Sequence, residues 1–284
     1  MDRRPRFRRI AITSLVPAVA LFIGLGMAST ATASTSPAAQ AAAVARAAIK
    51  NITADNPHSP TLKVHSRNTG IKGLSQVSST NWSGYADTGS SFSHVAASWT
   101  EPTAASCSRR TTSLAAFWVG IDGYSSSSVE QDGTLIECYE GTAYYYDWWE
   151  IYPENDVQVE NNVSPGDSIT SVVTRSGSSY TMAVTDSTHS GDSFSTTQTY
   201  SGAADSSAEW IAEAPTGSSG VEPLTDFGTW NDTGSAVTEG STAGTISSFT
   251  DDEITMDSSS GAVEAQPGAL NSSGNAFSVA WKSS

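Results

Sequence analysis

Basic residues are scarce over most of the chain: residues 81–284 hold only Arg109, Arg110, Arg175 and Lys282 against 27 Asp and Glu, a net charge of −23. A surface of that sign repels nucleic acid phosphates and anionic lipid, which argues against both as partners. With so few cations, few carboxylates are ion-paired. Protonating them in acid removes self-repulsion and sacrifices little pairing, so acid tolerance follows. The same acidity also serves solubility, and charge alone does not separate the two readings. Histidine is equally scarce, with only His94 and His189 in this part. No Gly-x-Ser-x-Gly elbow accompanies them, so a Ser-His-Asp hydrolase is disfavoured despite abundant serine. There is no His-Glu-x-x-His and no Cys/His cluster, so no metal and no cofactor is expected. The run Asp251-Asp252-Glu253, followed by Asp257, lacks EF-hand spacing and reads as a solvated turn. Cysteine is limited to Cys107 and Cys138. An even pair in an exported chain favours a disulfide.

Long apolar runs are absent after the beginning. Five arginines precede an apolar run from Ile10 to Met27, and Ala31-Thr32-Ala33 follows as a small-residue cleavage signal. Residues 1–33 therefore read as a secretory signal peptide. The run is interrupted by Ser14 and Pro17, and no later segment approaches the roughly 20 apolar residues of a spanning helix. The expected product is secreted, extracellular and soluble, with monomer as the default state and no membrane partner. Residues 34–80 carry a net charge of +4, Ala-rich from Pro37 to Lys50 and turn-rich from Asn51 to Ser79. They read as a propeptide of a zymogen with an approximate boundary at 80, although composition does not separate this from a linker. As a propeptide, the segment, with His58 and His65 adding charge in acid, is expected to lie across the acidic domain as its own inhibitor.

From Asn81 onward, short β-branched and aromatic runs alternate with Ser, Thr and Gly, and no stretch has sustained helical period. Candidate strands are 92–99, 114–121, 143–152, 168–174, 180–185, 208–213, 245–249 and 276–281. Many short strands predict one antiparallel sandwich or barrel over 81–284. Alternation puts Glu209, Ile211 and Glu213 on one face and Trp210 with the alanines on the other. It likewise puts Tyr146, Trp148, Glu150 and Tyr152 opposite Tyr145, Asp147, Trp149 and Ile151. Trp149 and Trp210 read as packing residues. What remains for chemistry is carboxylates among aromatics, Glu150 and Glu213 foremost. Two such groups suit glycoside hydrolysis. A single carboxylate activating water, with a neutral donor for the oxyanion, suits peptide hydrolysis. A carbohydrate-binding module is a third reading, and periodicity does not choose.

Five motifs do. In order they are Asn81-Trp82-Ser83-Gly84-Tyr85, Phe117-Trp118-Val119-Gly120-Ile121-Asp122-Gly123, Val129-Glu130-Gln131-Asp132-Gly133, Trp148-Trp149-Glu150-Ile151-Tyr152-Pro153-Glu154 and Ala208-Glu209-Trp210-Ile211-Ala212-Glu213. In these the chain resembles the glutamic peptidases, also called eqolisins or peptidase family G1. The resemblance implies a concanavalin or jelly-roll-like sandwich of two antiparallel sheets, with a substrate cleft on the concave face of one. It implies an acid-acting endopeptidase that cuts proteins or peptides, needs no metal and resists pepstatin. It assigns catalysis to Gln131 and Glu213, and places Trp82, Trp118, Asp122, Trp148 and Glu150 where they line or support the cleft. Ala214-Pro215 after the last motif, and the small number of cysteines, depart from the fungal pattern. Subsite preference and disulfide pattern therefore do not transfer.

Overall fold

The computed structural model describes residues 62–68, 74–155, 157–217 and 220–284. The expected signal peptide and the Ala-rich part of the segment after it lie outside the described residues. The described chain is all β. Its first strands are β1 (Leu62–Asn68), β2 (Leu74–Ser79), β3 (Trp82–Thr88), β4 (Phe92–Thr100), β5 (Ser113–Asp122) and β6 (Val129–Tyr139). Then come β7 (Thr142–Tyr152), β8 (Gln158–Asn162), β9 (Ser168–Ser176), β10 (Ser179–Asp186), β11 (Phe194–Thr199) and β12 (Ser207–Glu213). The last are β13 (Thr216–Gly217), β14 (Gly220–Val221), β15 (Thr229–Glu239), β16 (Thr242–Gly244), β17 (Thr250–Asp257), β18 (Val263–Pro267) and β19 (Ala276–Trp281). Turn chemistry sets the hairpins: Glu140 and Gly141 between β6 and β7 both have positive φ, as a two-residue hairpin loop requires.

Apart from the small β13–β14 hairpin, all strands belong to one large hydrogen-bonded sheet. One run passes β1, β2, β17, β3, β12, β5, β6, β7, β8. A second passes β11, β10, β9, β4, β15, β19, β18, and β18 pairs back to β17. Among these strand pairs only β2–β17 is parallel.

The period-two alternation sorts the core. Tyr85, Phe117, Trp149, Trp210 and Ala212 of the first run join Trp99, Val173, Met182 and Trp230 of the second in one buried cluster. Val77, Trp82, Trp118, Leu135, Tyr146, Trp148 and Ile211, all from the first run, form another on its opposite side. Hence β7 and β12 are buried on both faces, and Trp149 and Trp210 pack in the cluster shared by the runs. Two glycines permit close backbone approach: a Cβ on Gly133 would be driven into the Phe117 carbonyl oxygen and stand 2.7 Å from Trp118 Cα. At Gly84, φ is +151° and a Cβ would strike the Trp210 carbonyl.

Three readings need correction. The stretch 245–249 holds a short 3₁₀ turn, Ile246–Ser248, instead of a strand, because Thr245 and Ser248 cap each other reciprocally. The acidic run is strand β17 instead of a solvated turn: Asp251 is buried, and Asp252 and Glu253 accept hydrogen bonds from Tyr124 and Tyr85. Part of the turn-rich stretch 51–79 forms β1 and β2. Cys107 and Cys138 form a disulfide with their Cα atoms 5.1 Å apart. The bridge spans a sequence separation of 31, so chain entropy gives it about 3 to 4 kcal/mol. Cys138→Ala should therefore lower the melting temperature by about 10 °C, read by circular dichroism. A change within error would show that the unfolded chain gains nothing from the constraint.

Candidate active site

Gln131 and Glu213 reach the same face of the first run by the parity of their strands. Ala116, Trp118 and Gly120 alternate along β5 and set the frame. In the ladders Gln131 pairs with Gly120 from one side, while Glu213 pairs with Ala116 from the other. Trp118 falls between them. Four residues along β5 and one strand spacing to each side put the two backbones about 16 Å apart on a flat sheet. Long side chains, sheet curvature and whatever lies between must close that gap. Glu209 pairs with Gly120, so by register it is the carboxyl nearer Gln131.

The hydrogen bonds divide the residues into two groups. In the first, the Glu213 carboxylate accepts from Asn81 Nδ2 at 3.2 Å and from Trp118 Nε1 at 2.8 Å. Asn81 is itself fixed in the turn before β3: its backbone N–H donates to Ser79 Oγ, that hydroxyl donates to Asn81 Oδ1, and its carbonyl accepts from Ala214 N–H. Trp82 packs edge-on against Trp118 with ring centroids 4.9 Å apart. In the second group, Gln131 Nε2 donates to Glu150 Oε2 at 2.8 Å. A carboxylate can only accept, so this bond turns the NH2 end of the amide toward Glu150 and the carbonyl away from it. Gln131 Oε1 has no hydrogen-bond partner among the described residues. Trp148 stands opposite Gly133 in the ladder and packs in the same apolar cluster as Trp82 and Trp118.

Asp122 supports the site from outside it. Its carboxylate accepts from the backbone N–H groups of Ala204, Asp205 and Ser206 and from the Ser206 hydroxyl, at 2.7 to 2.9 Å. These bonds pin the segment that leads into β12 and so set where Glu213 ends up. Asn81 is the residue that sequence reasoning missed. It opens the first motif, yet its Asn-x-Ser pattern is one a Ser-rich chain produces by chance, and its contact with Glu213 arises only from the turn.

Burial raises two of the neighbouring carboxyls. Gln131 and Glu213 are 0% exposed and Glu150 is 1% exposed. Desolvation by burial holds Glu209 well above the usual carboxylate range. Glu130, which faces the other side of β6, is pushed up to about 9, mainly by burial and then by Asp122 and Asp205 nearby. In acid both are neutral. Glu213 is met by two N–H donors, Asn81 Nδ2 and Trp118 Nε1. The arrangement offers one carboxylate with oriented donors, one neutral amide with a fixed flip, and aromatic walls between them.

The sequence matches the profile of the Peptidase A4 family over residues 80–273. A comparison with curated proteins finds no match. Among solved structures the chain is similar to Scytalido-glutamic peptidase bound to a peptide-based transition-state analogue, with a TM-score of 0.61 and 24% identity over 72% of this chain and 98% of that one. It is similar to SCP-B, described as a member of the eqolisin family and bound to the tripeptide Ala-Ile-His, with a TM-score of 0.59 and 23% identity over 72% and 98%. Aspergilloglutamic peptidase from Aspergillus niger gives a TM-score of 0.52 and 28% identity over 60% and 99%.

Proposed function

The chain belongs to the Peptidase A4 family, the glutamic peptidases, and on that premise we propose that it is a secreted, acid-acting endopeptidase in which Glu213 activates water and Gln131 stabilises the oxyanion. The observation that carries this reading is the pairing of roles on one face. Glu213 is a carboxylate aimed by Asn81 and Trp118, and Gln131 is an amide aimed by Glu150. Glu213 takes a proton from water as the oxygen attacks the scissile carbonyl, then delivers it to the leaving amine. Gln131 uses one N–H on Glu150, which leaves the second for the oxyanion. Its carbonyl is available to accept from the attacking water. A neutral amide does not repel the developing negative charge. Glu150 is a positioning residue here, and no step calls for a metal.

In this reading the two runs face one another as a sandwich, and the substrate cleft lies over the Trp118 side of the first run. Burial of Gln131, Glu150 and Glu213 in the full chain supports a latent form. Val77 of β2, in the segment assigned as propeptide, packs in the same cluster as Trp82 and Trp118. Removal of residues up to about 80 would uncover that side and take Ser79 from Asn81, whose carbonyl would still be held by the Ala214 N–H. The test is digestion of casein or haemoglobin between about pH 2 and 7, with and without pepstatin and EDTA. Cleavage in acid that resists both inhibitors supports the proposal. Loss of activity with pepstatin, or hydrolysis of polysaccharide and not of protein, overturns it.

A further inference from the structure

Asp167 precedes β9, Asp186 ends β10, and His189 follows in the next turn, so adjacent antiparallel strands bring three ligand-type side chains to one end of the second run. His189 Nδ1 lies 3.0 Å from Asp167 Oδ1 and 3.7 Å from Asp186 Oδ2, and the three ligand atoms are all within 4.8 Å of one another. Each carboxylate spends its other oxygen on the backbone: Asp167 Oδ2 accepts from Ser164 N–H, and Asp186 Oδ1 from the N–H groups of Thr188 and His189. Both aspartates are therefore fixed with one oxygen turned inward. Asp186 Oδ2 is the telling atom. Its side chain is 1% exposed, it has no hydrogen-bond partner among the described residues, and it points at His189 from beyond hydrogen-bond reach. A buried carboxylate oxygen left this way is costly unless something else meets it.

We propose that Asp167, Asp186 and His189 form a structural divalent-cation site of the zinc class. A tetrahedral zinc with ligands at about 2.0 to 2.1 Å sets neighbouring donor atoms about 3.3 Å apart. The observed 3.0 and 3.7 Å straddle that value. One nitrogen and two carboxylate oxygens suit zinc better than calcium, which takes oxygen alone. The His189 side chain is 54% exposed, so water completes the coordination from the open side. Bound there, the ion ties the start of β9 to the end of β10 and to the turn after it. It lies in the second run, apart from Gln131 and Glu213, and takes no part in the chemistry proposed for them.

The test is calorimetric titration of the intact protein with zinc chloride near neutral pH. About one equivalent should bind, and a zinc excess of about a hundredfold over the dissociation constant should raise the melting temperature by about 5 °C. His189→Ala and Asp186→Asn should each weaken binding at least about tenfold. Asn keeps the oxygen that caps Thr188 and His189, so the second variant retains the turn. Absence of saturable binding, or binding undiminished in both variants, overturns the site.

Discussion

Glu213→Gln is expected to lower turnover of a peptide substrate at acid pH by at least about a thousandfold, because the variant keeps the shape of the side chain and removes the only base proposed to accept a proton from water. The fold should survive. One of the two donors, Asn81 Nδ2 or Trp118 Nε1, will face an amide NH2 instead of an oxygen, a loss of about 1 kcal/mol. Glu209→Gln is the matching control. Burial already keeps Glu209 protonated in acid, so its replacement by a neutral amide should change turnover less than about tenfold. Register makes Glu209 the nearer neighbour of Gln131, and chemistry makes Glu213 the better base. Steady-state kinetics of the two variants separate these arguments. If Glu209→Gln is the inactive one, proximity decides, and the proposed assignment is wrong.

The inactive variant also allows stability to be measured without self-digestion, and here the expected effect is a melting temperature at least about 10 °C higher near pH 4 than near pH 8. The cause is a set of buried acids. Burial pushes Asp87 and Glu130 up to about 9, and Glu101, Glu137 and Asp232 up to about 8. Unfolded, such groups titrate near 4. Folding thus favours their protonated forms. The stability they confer is complete below about pH 4, declines as pH rises, and is gone above about pH 9, once the folded groups ionise. Little opposes this trend, since ion pairs are few among the described residues: Arg175 with Asp205 is one, at 2.8 Å. Asp87→Asn should raise the melting temperature at pH 8 and leave it nearly unchanged at pH 4. A flat profile in the parent protein would mean that these acids ionise freely in the folded state.

The same buried acids explain which parts of the fold were legible in the sequence. In β7 and β12 the aromatic and aliphatic letters alternate openly, and the faces read from them match the two buried clusters. Strand β6 escaped the periodicity because Glu130, Gln131, Asp132 and Glu137 are polar letters in dry positions. Asp132 shows how that is tolerated: burial raises its pKa well above the ordinary range, while the Ser171 hydroxyl donates to one of its oxygens. Only the motif drew attention to β6. The clamp on Glu213 was half legible, since Trp118 stood in a motif as a supporting residue while the role of Asn81 depends on a turn. The cluster at Asp167, Asp186 and His189 was not legible at all, because its members meet only when β9 and β10 pair.

Gly133 shows what such a motif can record. Pressed against the Phe117 carbonyl, it holds β5 and β6 at a separation that no side chain at this position would allow, and with it the spacing of Trp118 from Gln131. A map of tolerated substitutions would mark this position as unforgiving as Glu213, although Gly133 has no chemistry to lose. Substitution along β6 is thus bounded by steric contact as firmly as by reactivity, and a glycine within a motif can stand for a distance.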